Sequence, residues 1–254
     1  PMVGRQRVNN LEGDSLAYVF QSGISPCVVF LGGYRSDMTG TKAEYLADWC
    51  RREGRSMLRL DYSGHGSSEG CFEAGTISKW TRDALVVIHA VTTDPLILVG
   101  SSMGGWIMLK VALALGQRVK AMIGISAAPD FTRRLFRHEL SPDQREALDR
   151  DGRIVLESEY DSDGYPLTRA FIEDGEENLV LDQSIEVDCP VRLVHGMQDQ
   201  VVPWETTTRL SQALAGGDVQ IRLIKDGDHR LSDPGQLELL RDTVSDTLDL
   251  LTAR

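Results

Sequence analysis

Short apolar runs and helical patterns alternate along most of the chain. Leu16–Gln21 is rich in strand formers, and Gly13-Asp14 ahead of it is a turn signal, so the chain is expected to start as a hairpin. CVVFL at Cys27–Leu31, closed by Gly32-Gly33, reads as a fully buried strand. Thr39–Glu53 has apolar positions at helical spacing, with Gly54 as its stop. Further strands are expected at Ser56–Leu60, Leu96–Val99, Lys120–Ser126, Val191–Val194 and Val219–Ile224. Helices are expected at Ile77–Val91, Met103–Leu115, from Trp204, and from Pro234 to Leu251. This alternation implies an α/β fold of parallel βαβ units, the sheet covered on both faces. Right-handed crossovers then bring the strand C-termini to one edge, where ligands bind in such sheets.

The rhythm fails after Asp130 and resumes only at Val191. The economical reading is one domain over residues 1–254, with 130–188 as an insertion that forms a lid or cap over a pocket. Within it Ser141 and Pro142 look like a helix start. Phe131, Leu135 and Phe136, with Ile154, Tyr160, Phe171 and Leu179, are candidates to line an acyl pocket. Packing of the insertion on its own core is the alternative.

Charge changes this picture. The chain carries 27 Lys+Arg against 38 Asp+Glu, a net charge of −11. Residues 130–188 hold 17 acidic and seven basic residues, and the remainder 21 and 20, so the imbalance sits in the insertion. An acidic chain argues against nucleic acid, and against docking to anionic membranes through basic patches. No stretch reaches the roughly 20 apolar residues of a membrane span, so no integral membrane association is expected. Oligomeric state cannot be read from the sequence. Cys27, Cys50, Cys71 and Cys189 form no CxxC pair and suggest neither disulfides nor zinc, but small buried hydrophobes. The start PMVGRQRVNN lacks an apolar signal-peptide core. A cytoplasmic protein from a bacterium is expected, or a mitochondrial-matrix one if a transit peptide was removed.

The strongest chemical signal is Gly100-Ser101-Ser102-Met103-Gly104. A buried strand precedes this G-x-S-x-G and a helix follows it, which is the setting of a nucleophile elbow. A serine needs a base, and the base needs an acid to hold its tautomer. Asp199, after the strand ending at His195, and His229, after the last strand, come in the order Ser, acid, His. Asp226 and Asp228 are rivals for the acid but lie too near His229 in sequence. Of the other histidines, His195 is expected to support the Asp199 loop and His65 a turn. His89 is expected to be partly packed, and His138 could only touch substrate. The oxyanion donors expected are the amides of Met103 and Tyr34, with Gly33 or Arg35 open to one residue of slip. No metal constellation and no cofactor motif is present, so no cofactor is expected.

The segments LGGYRSDMTGTKA, DYSGHGSSEG, GSSMGGW, HGMQDQVVPW and DGDHR resemble the α/β-hydrolase superfamily over nearly the whole chain. More narrowly, GSSMGGW, Cys189-Pro190, His195–Trp204 and Asp228–Arg230 resemble the mitochondrial palmitoyl-protein thioesterase and acyl-glucuronide esterase branch. The resemblance implies a Ser102–Asp199–His229 serine hydrolase that cleaves carboxylic esters or thioesters, its substrate a small molecule or an acylated protein. A non-catalytic ligand receptor on the same fold and a carbon–carbon bond hydrolase or perhydrolase with the same triad are the alternatives. Dehalogenase or epoxide-hydrolase chemistry is disfavoured, because those relatives place Asp where this chain has Ser102.

Overall fold

A computed structural model describes residues 4–158 and 161–253. A hairpin of β1 (Gln6–Asn9) and β2 (Ser15–Gln21) opens the chain, as the turn signal suggested. There follow β3 (Ile24–Leu31), α1 (Thr41–Arg52), β4 (Arg55–Leu60), α2 (Ile77–Val91), β5 (Leu96–Ser101), α3 (Met103–Leu115) and β6 (Val119–Ile125). After the insertion come β9 (Val191–Gly196), α7 (Glu205–Ala213), β10 (Val219–Ile224) and α8 (Pro234–Thr252). The sheet order is β1-β2-β4-β3-β5-β6-β9-β10, with β1–β2 and β2–β4 antiparallel and every later pairing parallel.

Both faces of the sheet are covered, as its continuous apolar runs require. In β3, Cys27, Val29 and Leu31 face the cluster under α2 and α3, which includes Trp80, Val87, Trp106 and Ile107. Val28 and Phe30 face the other cluster, under α1 and α8, with Leu46, Trp49, Val244 and Leu248. Because side chains alternate along a strand, a two-sided core demands an unbroken hydrophobic run.

The insertion contains α4 (Phe131–Arg134), a π-turn at Leu135–Glu139, α5 (Pro142–Asp151), the antiparallel pair β7 (Arg153–Ser158) and β8 (Asp161–Thr168), and α6 (Arg169–Glu177). Ser141 caps α5 as expected: its side chain accepts from the Gln144 amide while the Gln144 side chain accepts from the Ser141 amide. Arg133 joins Glu176 and Asp182 in ion pairs, and Arg169 pairs with Glu173. The cysteine expectation holds for Cys27 and Cys50, whose burial pushes their thiols up to about 11 and about 12. It fails for Cys71, which is exposed. Among the described residues no helix is long and apolar enough to cross a membrane.

Candidate active site

Ser102 stands between β5 and α3 with φ 56° and ψ −120°, a left-handed conformation that a non-glycine residue takes only when its surroundings enforce it. Its amide donates to the Ile125 carbonyl at 3.0 Å, and its own carbonyl accepts from Gly105 and Ala128. The two elbow glycines are required sterically. A Cβ on Gly100 would lie 2.4 Å from the Gly104 oxygen, and one on Gly104 would lie 2.0 Å from the Leu31 oxygen. Ser102 thus sits at the N-terminal, positive end of α3.

Asp199 and His229 come together across their loops, His229 Nδ1 lying 2.7 Å from Asp199 Oδ2. His195 Nε2 lies 3.1 Å from the same oxygen, so the expectation that His195 supports this loop is met. Nε2 of His195 also faces the Val202 carbonyl at 3.0 Å; two acceptors at one nitrogen assign the proton to it. Nδ1 then accepts from the Thr207 hydroxyl at 2.8 Å. Asp199 Oδ1 accepts from the amides of Val201 and Val202. Burial alone would raise this fully shielded carboxyl, but the donors from His195, His229 and Val202 hold it well below the usual carboxylate range. The rivals turn elsewhere: Asp228 accepts from the Leu231 amide, and Asp226 is exposed.

The histidine loop is fastened on both sides. The His229 carbonyl accepts from Ser126 Oγ at 2.9 Å, and the Arg230 carbonyl accepts from Lys42 Nζ. Ser126 directly follows Ile125, the residue that binds the Ser102 amide, so two neighbouring residues at the end of β6 position both the serine and the histidine.

The loop after β3 passes the serine closely: a Cβ on Gly33 would stand 3.4 Å from Ser102 Cβ. Of the three amides left open by the sequence, that of Arg35 is engaged, donating to His65 Nε2 at 3.1 Å. His65 Nδ1 faces the Ser63 carbonyl, so the neutral ring donates at one nitrogen and accepts at the other. Its burial favours that neutral form and lowers its pKa. His65 is therefore the turn-stabilising residue expected, and it braces the β3 loop.

A cavity of about 120 Å³ opens beside Ser102 and Met103. Tyr34, Phe131, Leu135 and Phe171 line it, in agreement with the sequence for the last three. Phe136 does not line it; one step along the π-turn it faces away and packs, half-buried, on the core. Ile154 and Leu179 also lie outside it, and Tyr160 falls outside the described residues. His138 and His89 are exposed, the latter against expectation. The sequence reading missed Tyr165 and Leu167, whose alternation along β8 is a strand signal, and Val201 and Val202 beside Asp199. Among the described residues no cluster of His, Cys, Asp and Glu is arranged to hold a metal.

A serine elbow, an acid–histidine pair and an adjoining cavity at the C-terminal edge of a mostly parallel sheet define an α/β hydrolase, and the chain belongs to that family. The family model described as "Serine aminopeptidase, S33" (Hydrolase_4) matches residues 24–159. Within the family the chain is an esterase-type hydrolase related to palmitoyl-protein thioesterase ABHD10, mitochondrial. It is 38% identical to the mouse protein over 96% of this chain and 82% of that one, and 37% identical to the human protein over 96% and 80%. The solved structure of alpha/beta hydrolase domain-containing protein 10 from mouse superposes with a TM-score of 0.90, covering 98% of this chain and 99% of that one at 37% identity. A structure from Agrobacterium vitis S4 gives 0.92, also at 37% identity, over 97% and 99%. The ABHD10 relatives are mitochondrial by name, so the cytoplasmic expectation gains no support from them.

Proposed function

We propose that this protein hydrolyses carboxylic esters or thioesters through an acyl-enzyme on Ser102. Ser102 Oγ attacks the acyl carbonyl, His229 takes the proton and returns it to the leaving group, and Asp199 fixes the His229 ring with its proton on Nδ1. The amides of Met103 and Tyr34 receive the oxyanion, since the Arg35 amide is already committed to His65. Residues 130–188 act as the lid, and Phe131 and Leu135 contact the acyl group. The observation that carries this reading is the 2.7 Å contact between His229 Nδ1 and Asp199 Oδ2, with the His229 loop tied to the strand end that also holds Ser102. The named activity of the ABHD10 relatives favours acyl thioesters, on a small molecule or a protein, among the substrates.

The test is Ser102→Ala on a panel of p-nitrophenyl esters and acyl thioesters, with a fluorophosphonate probe on the unmodified protein. A covalent adduct on Ser102 and a fall in turnover of about 10⁶ are expected. Retained activity in the variant, or no adduct on Ser102, overturns the reading.

A further inference from the structure

We propose that the cavity beside Ser102 selects an acyl group of about one aromatic ring, so that aryl-acyl esters and thioesters are preferred over long-chain ones. This rests on Ser102 being the nucleophile, and it concerns the nature of the acyl group alone.

The cavity measures about 120 Å³. An apolar cavity of roughly 150 Å³ holds a benzene molecule, whereas a hexadecanoyl chain needs several times that space. Aromatic rings form part of the cavity's walls. Tyr34 stacks on Phe171 at 5.4 Å and 19°, and meets Phe131 and Tyr165 edge-on at 6.1 and 5.8 Å. Four aromatic residues therefore border the space, in the offset and edge-to-face arrangements that a further ring would extend.

These walls are also held in place. Phe171 is 2% exposed and also packs on Trp80 at 5.5 Å. The Tyr34 hydroxyl donates to the Pro166 carbonyl, and burial keeps that phenol protonated by raising its pKa. At the mouth Arg134 pairs with Glu139 and donates to the Val201 carbonyl. A ring-sized acyl group fills the space between these walls and leaves their contacts in place.

The intact protein is assayed with p-nitrophenyl acetate, phenylacetate, octanoate and hexadecanoate, and with the corresponding N-acetylcysteamine thioesters. The kcat/KM for phenylacetyl is expected to exceed that for octanoyl and hexadecanoyl by at least about tenfold, the discrimination a shape-restricted apolar pocket supplies. Phe131→Ala and Leu135→Ala enlarge the cavity from two sides, and each is expected to shrink that preference. Two variants guard against one that folds poorly. A series that rises steadily to hexadecanoyl, with a fluorophosphonate adduct present on Ser102, overturns the acyl preference and leaves the hydrolase reading standing. Absence of the adduct overturns both.

Discussion

His195, near the end of β9, and His229, in the loop after β10, approach the same carboxylate oxygen, Asp199 Oδ2, at 3.1 and 2.7 Å. In the proposed mechanism His229 acts on Ser102. His195 spreads the charge of the acid that orients His229. Removing the His195 donor leaves Oδ2 with one partner fewer to hold it against the His229 ring. For His195→Leu, kcat/KM is expected to fall about tenfold, since a hydrogen bond to a charged group is worth roughly 1.5 kcal/mol. His195→Gln, which keeps a donor near the Nε2 position, should restore most of the loss. Unchanged kinetics in the leucine variant would show that His195 only packs.

Asp199→Asn is expected to cost both activity and stability. Each carboxylate oxygen faces two N–H donors, His195 and His229 on one side and the Val201 and Val202 amides on the other. An asparagine amide group therefore meets donors whichever way it turns. Turnover should fall about 10⁴-fold, as when the acid of such a triad is neutralised. Urea unfolding should show a loss of roughly 1–3 kcal/mol from the unsatisfied buried donors.

Acid should weaken the protein in two stages. Burial lowers the His65 pKa relative to the unfolded chain, so its contribution is complete above about 6.5 and erodes as pH falls below that value. Asp199, also held below its unfolded value, contributes fully above about pH 4 and erodes below it. Urea midpoints measured from pH 8 to 3 should decline in both ranges. His65→Phe should flatten the upper decline while leaving the lower one.

The fastening of the histidine loop is testable separately. Ser126→Ala removes the bond to the His229 carbonyl, and Lys42→Met the bond to the Arg230 carbonyl. Each is expected to lower kcat by about 10–10² with a smaller change in KM, because misplacing a proton-transfer group by about 1 Å has that effect. Steady-state kinetics on p-nitrophenyl acetate decide it: a change confined to KM would assign these residues to binding instead.

The acidic insertion predicts a salt effect. Its arginines are largely engaged, Arg133 with Glu176 and Asp182, Arg134 with Glu139, Arg153 with Glu73. Surplus carboxylates remain in the insertion. For an ester with an anionic leaving group, kcat/KM should rise between 0.01 and 0.15 M salt, as the Debye length falls from about 30 to about 8 Å, while a neutral ester stays flat.

Most of the sheet and the elbow could be read directly from residues. A strand buried on both faces leaves an unbroken apolar run, and helices such as α2 and α3 begin and end where the sequence placed them. The insertion offered no such pattern, because its elements bury few side chains. Leu148 is the buried residue of α5, and Leu156 that of β7. Ser102, Asp199 and His229 were legible because each follows a recognisable strand. Phe136 was misplaced for a different reason: adjacent residues on a helical turn look in different directions, and hydrophobicity alone does not say which one faces the cavity.

Tyr34 has one end at the serine and the other in the insertion. Its backbone lies in the loop that passes Ser102, and its hydroxyl is bound to the carbonyl of Pro166 in β8. Next to it, the Arg35 guanidinium reaches the Gly164 carbonyl on the same strand. If that hairpin swings out to admit a substrate, the two tethers must let go or draw the loop with them. Any outward movement of the hairpin is thereby coupled to the loop that passes Ser102.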